Sequence, residues 1–297
     1  PKANDPGSTP QEIDDLVEAV NCHARALVLL AAEVARHGVR TTTANLHHLM
    51  ARLEQAHPGD RENSLYASVA LSLRRLPEKM REQIKPLGMF YGGANTFTIM
   101  QTLEVDQQSA ESIAQGLIAV GLAQQMNYTH LRFDPALAPY LLGQMHETEI
   151  AQARQRWAEG MQQLLGYLYQ EAQKNAQLAA TLTLLELPNL LPLLDWALAH
   201  VTPEEVVGLT SSMETLLQQL GRPQALARVV AVREEAAKQL GGWSHAQILA
   251  ESSKIDQLLE NGDLQSAYKI AKALLQKCLD VGEDAYSGAD YSIAWAR

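Results

Sequence analysis

Apolar positions recur along most of the chain at helical spacing, and Pro, Gly and capping residues cut them into short blocks. Residues 1–10 (PKANDPGSTP) show no periodicity and read as a linker. A helix follows, with Thr9 as cap, Pro10 at its first position, Glu12 in its first turn, and Ile13, Leu16, Val17 and Val20 on one face. Ala24–His37 predicts a second helix ending at Gly38. A third, about 43–55, stops before the turn signal His57-Pro58-Gly59-Asp60. Together they predict a small helical domain over 11–60.

A second block spans 61–145. Leu65–Leu76 is halted by Pro77, which opens a short helix over 77–84, and Pro86 stops that one. Leu87-Gly-Met-Phe-Tyr-Gly-Gly reads as a compact apolar turn before a helix over 94–103, and Asp106 caps a helix over 107–120 that ends on Gly121. Leu122–Met126 and His130–Phe133, joined by Asn127-Tyr128-Thr129, read as a β-hairpin. Helices followed by a hairpin in this order predict a winged-helix domain. From 146 to 297 the pattern is helical throughout. Gly221-Arg-Pro-Gln-Ala-Leu-Ala and Gly262-Asp-Leu-Gln-Ser-Ala-Tyr stand 41 positions apart. Each follows one amphipathic helix and precedes another that closes on a Gly, Gly241 or Gly282. Ala at the crossing lets the two helices touch, as in antiparallel helical-pair, tetratricopeptide-like repeats. The predicted fold is therefore mainly α: a small helical bundle, a winged helix with a short hairpin, and a helical-pair solenoid ending within its repeats.

The order of these parts resembles the post-ATPase half of a bacterial STAND-class signal-transduction NTPase, the group containing NB-ARC and NACHT proteins. Leu16–Leu30 is similar to the helical-domain signature written Gly-Gly-His-Pro-Leu-Ala-Leu. Leu71–Leu142 is similar to the winged helix, above all at Leu87-Gly-Met-Phe-Tyr-Gly-Gly, Ile118-Ala-Val-Gly-Leu-Ala and Leu131-Arg-Phe-Asp-Pro-Ala-Leu. Glu186-Leu-Pro-Asn-Leu-Leu-Pro-Leu-Leu-Asp-Trp-Ala-Leu resembles the start of the repeats in bacterial members. The resemblance implies an upstream NTPase core as partner, ADP or ATP as that core's nucleotide, and a protein or peptide ligand on the repeats. This chain departs from the family at the nucleotide. Ala24 stands where the family's Pro packs on the base, and Asn21 and Cys22 replace two glycines. Asp134 stands where a His senses the β-phosphate; a register shifted by one puts Phe133 there. Neither donates to a phosphate, so the architecture carries over and the nucleotide contacts do not.

Composition narrows the function further. The net charge of −10 over 297 residues argues against a broad phosphate-binding surface. The helix that would enter a DNA groove, 107–120, contains no Lys or Arg and begins beside Asp106, so DNA binding there is the weaker reading. A transcription regulator of the same architecture, with DNA contacts elsewhere, is the alternative function. Apolar runs such as Leu182–Leu194 are broken by Thr, Glu, Pro and Asn, which argues against a membrane span. Cys22 and Cys278 form no Cys-x-x-Cys pair and suit ordinary thiols in a reduced cytosol. No P-loop or His-Glu-x-x-His is present, so the chain reads as a non-enzyme without its own cofactor or metal. The adjacent pair His47-His48 faces apart on a helix. Cys22-His23 does too, and Cys22 reads as a packed thiol. Trp196 reads as core, and Trp243, in Gly241-Gly-Trp-Ser, as an exposed partner contact.

Overall fold

The structure, a computed structural model, describes residues 8–56, 62–218, 220–240 and 244–281. Trp243, the turn at 57–60, and the closing glycines Gly241 and Gly282 lie outside the described residues. The described chain is mainly helical, with one small antiparallel sheet, and it forms two compact units, Pro1–Gly160 and Met161–Arg297.

The first unit opens with α1 (Pro10–Ala19). Its capping box forms as the sequence predicts: Glu12 N–H donates to the Thr9 side chain, and Thr9 N–H donates to the Glu12 carboxylate at 2.9 Å. α2 (Ala24–Ala56) departs from expectation. Two helices separated at 38–42 were expected, whereas helix resumes directly after a kink at Gly38, whose φ of 77° is open to glycine. The Thr42 and Thr43 hydroxyls donate to the carbonyls of Gly38 and Val39 at 2.8 and 2.9 Å, supporting the first turn beyond the kink. α2 packs along α3 (Asn63–Leu73), which is buried on nearly every side.

Beyond α3 come α4 (Glu78–Gln83), a 3-10 turn at Lys85–Met89, β1 (Gly93–Asn95), α5 (Thr96–Leu103) and α6 (Gln107–Ala119). β2 (Ala123–Gln125), β3 (His130–Phe133) and α7 (Leu137–Leu142) follow. The expected hairpin is present, but a third strand joins it: β1 pairs with β3, giving the order β1-β3-β2. The helix expected over 94–103 therefore starts later, because the Asn95 side chain accepts from Phe97 N–H at 2.9 Å and caps it. Gly93 makes the extra pairing possible, since a Cβ there would lie 2.3 Å from the Leu131 carbonyl oxygen. Ile84, Leu87, Phe90, Ile99, Ile113, Leu117 and Leu131 are fully buried, and Phe90 meets Phe133 edge-on at 6.4 Å.

α8 (Glu147–Lys174) crosses the unit boundary in sequence. The second unit continues with α9 (Ala176–His200), α10 (Pro203–Gln218), α11 (Pro223–Ala237), α12 (His245–Glu260) and α13 (Leu264–Val281). The echo noted in the sequence has a common geometry. Gly221 and Gly262 both take positive φ, 60° and 78°, in the turns between α10 and α11 and between α12 and α13. The alanines expected at the crossings, Ala225 and Ala267, are both buried.

By length and composition α9 is apolar enough to cross a membrane, with a mean hydropathy of 1.3 over its best window, a property the broken apolar run had concealed. It also buries Glu186 and Asn189, hydrogen-bonded to each other at 2.9 Å, and packs against α10 and α11. That is the pattern of a core helix in a folded unit. Trp196 is buried on α9, as expected, with the His200 ring stacked on it at 4.9 Å.

One polar junction ties three helices of this unit. Arg233 of α11, only 2% exposed, donates to both oxygens of Glu214 on α10, and the Ser253 hydroxyl of α12 donates to the same carboxylate at 2.7 Å. Removing the carboxylate strands a buried guanidinium, whereas removing the hydroxyl leaves the ion pair intact. Glu214→Ala is expected to cost about 3–5 kcal/mol and Ser253→Ala about 1 kcal/mol in urea unfolding. The reverse order would contradict this reading of the junction.

Candidate functional site

Ala24 and Asp134, singled out in the sequence, meet in the structure. Both line a groove of about 420 Å³ between the start of α2 and the β2–β3 pair. Each wall has a local cause. The chain leaves α1 through Asn21 and Cys22, both left-handed at φ of 51° and 58°. Cys22 N–H closes the α1 end on the Val17 carbonyl at 2.9 Å. His23 Nδ1 then accepts from Ala26 N–H at 3.4 Å at the start of α2. The ring nitrogen is thus engaged in a cap, and Cys22 is exposed rather than packed, because a left-handed turn residue sits outside both helices.

The other wall begins where Gly121, at φ of 81°, ends α6 as the sequence predicts. Gly121 N–H donates to the Ile118 carbonyl at 3.0 Å and Leu122 N–H to that of Leu117 at 2.9 Å. The Leu122 carbonyl in turn accepts from Asp134 N–H at 2.9 Å.

Asp134 is where the two walls join. Its Oδ1 accepts from Ala136 N–H at 2.9 Å, and its Oδ2 accepts from Arg25 Nε at 2.7 Å. The carboxylate side chain is 8% exposed and the arginine 47%. The bare carboxylate expected to repel a phosphate is therefore already neutralised by Arg25. Phe133, the residue of the shifted register, is buried against Phe90 and presents no donor. Arg132 on β3 donates to the Gln124 side chain opposite it on β2, and Val28 of α2 is 73% exposed at the rim.

Sequence reasoning missed Arg25 and Arg132. Arg25 follows a position that drew notice, but nothing in the spacing ties it to a carboxylate 109 residues on. The assembled groove has guanidinium donors and an apolar rim. Such a set can hold an anionic or mixed polar surface. Among the described residues, no group of three or more His, Cys, Asp or Glu side chains is arranged to hold a metal ion.

α6 begins at its own carboxylate. Asp106 accepts from Ser109 N–H at 2.8 Å, and hydrogen bonds from Ser109 hold its carboxyl below the ordinary range. Glu111 accepts from Gln107 at 2.8 Å. The dipole that could attract a phosphate at this terminus already faces a negative charge. No family model, no curated protein and no solved structure matches the chain.

The turn into the groove yields a test. Left-handed geometry suits glycine and is tolerated by Asn, but it costs an ordinary residue such as Cys roughly 1 kcal/mol. Cys22→Gly is expected to stabilise the chain by about 0.5–1 kcal/mol in denaturant unfolding. A loss of stability would show that the thiol, not the backbone, matters at this turn.

Proposed function

We propose that this chain is the regulatory and protein-interaction part of a STAND-like signalling protein, without catalysis of its own. The observation that carries the reading is the convergence of Ala24 and Asp134 on one groove. These are the two positions that the resemblance relates to nucleotide sensing, and they lie far apart in sequence. Two further features support it. Asn21 and Cys22 replace the family's paired glycines and adopt the backbone that glycine favours. The run from α3 to β3, with β1 before α5 and strand order β1-β3-β2, has the element order of a winged helix.

In this reading α10–α11 and α12–α13 are tetratricopeptide-like pairs that present a surface to a protein or peptide ligand. Exposed Leu259, Leu264 and Tyr268 supply apolar contacts there. The winged helix relays ligand occupancy to an upstream nucleotide-binding core, with ADP or ATP bound to that core. The groove is the relay point, because a phosphate arriving there would compete with Asp134 for Arg25. Ligand binding shifts the population only to the extent that it favours one arrangement over the other. α6, with its carboxylates and no cation, packs and does not read DNA.

Two observations test the reading. The isolated chain is expected to release no phosphate from ATP above the buffer rate. The sequence preceding Pro1 in the parent protein is expected to contain Gly-x-x-x-x-Gly-Lys-Ser/Thr. Hydrolysis by the chain alone, or a parent without that motif, would overturn the proposal.

A further inference from the structure

A second cleft in the first unit, of about 480 Å³, is lined from α2, α3, α4 and α7, together with Lys85. Its charged lining comprises Arg52, Arg74, Arg81 and Lys85 against two carboxylates, Glu78 and Glu82. Lys85 and Glu82 pair with each other, which leaves three guanidinium groups facing one carboxylate. Arg52, Arg74 and Arg81 form no ion pair among the described residues. Arg81 Nε is moreover buried without a hydrogen-bond partner. In a chain of net charge −10, this local excess of cations is a departure from the whole.

Tyr140 of α7 ties the group together. Burial pushes its hydroxyl above the ordinary tyrosine range, while Arg74, Arg52 and Arg81 each pull it back. The three cations line the same cleft as Tyr140, whose hydroxyl stays a hydrogen-bond donor at neutral pH. The Tyr140 ring lies 6.3 Å from that of Tyr66, and leucines from α2, α3 and α7 form the apolar part of the wall.

Arg52 and Arg74 are exposed enough to form a solvated rim, but Arg81 is not, and its buried unpaired donor calls for an acceptor. Like charges around a concave, partly apolar surface repel one another and attract an anion. Guanidinium forks match the oxygens of a phosphate, and the volume falls within the range of small-molecule sites, roughly 300–1,000 Å³. We propose that this cleft binds a small organic phosphate, its charge held by Arg52, Arg74 and Arg81 and its apolar part lying on Tyr140 and the leucine wall. The site is separate from the groove at Asp134, and the proposal rests on no part of the STAND reading.

The test is calorimetric titration of the 297-residue chain with phenyl phosphate, inorganic phosphate and inorganic pyrophosphate at fixed ionic strength. Phenyl phosphate is expected to bind more tightly than inorganic phosphate, and pyrophosphate to bind through charge alone. Arg74→Gln/Arg81→Gln is expected to weaken both phenyl phosphate and pyrophosphate by about tenfold or more. Arg52→Gln, at an exposed side chain, is expected to weaken them about threefold. Arg228→Gln, at an exposed side chain of the second unit, is expected to leave both affinities unchanged. The proposal is overturned if phenyl phosphate and pyrophosphate fail to bind beyond a chloride control, if phenyl phosphate binds no more tightly than inorganic phosphate, if the Arg52 variant binds as the parent does, or if affinity falls only with Arg25→Gln/Arg132→Gln in the other groove.

Discussion

The carboxylate of Asp134 must be satisfied from two sides at once, and the arrangement of the first unit follows from how this is done. One oxygen takes the Ala136 backbone N–H at the entry to α7, and the other takes Arg25 from the first turn of α2. The Asp134 N–H is meanwhile bound to Leu122, just past α6. Three stretches that are remote in sequence are thereby held at one nearly buried charge. The energetics are lopsided. Arg25 is about half exposed, so the pair itself contributes only on the order of 1 kcal/mol. Leaving Asp134 without partners would instead carry the larger penalty of a buried, unpaired ion. The carboxylate is thus the fixed point of the groove, and the half-exposed arginine is its weaker anchor.

The two units use polar burial differently. In the first, the groove at Asp134 and the cleft at Tyr140 place their charges at open concave surfaces, where an incoming anion can still reach them. In the second, Glu214, Arg233 and Ser253 close on one another, leaving nothing to offer a ligand. A closed network of that kind rigidifies the core and specifies how its helices pack. The exposed apolar positions of the second unit, Leu264 and Tyr268 among them, lie outside that network.

Local signals were the legible part of the sequence. Thr9 with Glu12, Asp106 and Gly121 each act through a neighbour within a few residues, and each ends or starts its helix where the sequence predicts. β1 was hidden because three residues are too few to show a period of two, and its partner strand lies far along the chain. Gly38 looks like a helix end in the sequence because a Gly just past an apolar-periodic run marks a terminus far more often than a bend, whereas the chain kinks there and helix resumes. Within the candidate site, Ala24 and Asp134 could be named through a family resemblance. Arg25 and the cleft arginines could not, since pairings across tens of residues leave no spacing rule. Trp196 was legible as core from the apolar residues around it.

Arg25 and Asp134 form an ion pair across the groove, so their side chains should be energetically coupled. A double-mutant cycle in urea unfolding, built from Arg25→Gln, Asp134→Asn and the pair, measures that coupling without involving any ligand. A coupling energy of about 0.5–1 kcal/mol is expected, diminishing as salt is added. Additivity of the two substitutions to within roughly 0.3 kcal/mol at low salt would contradict it.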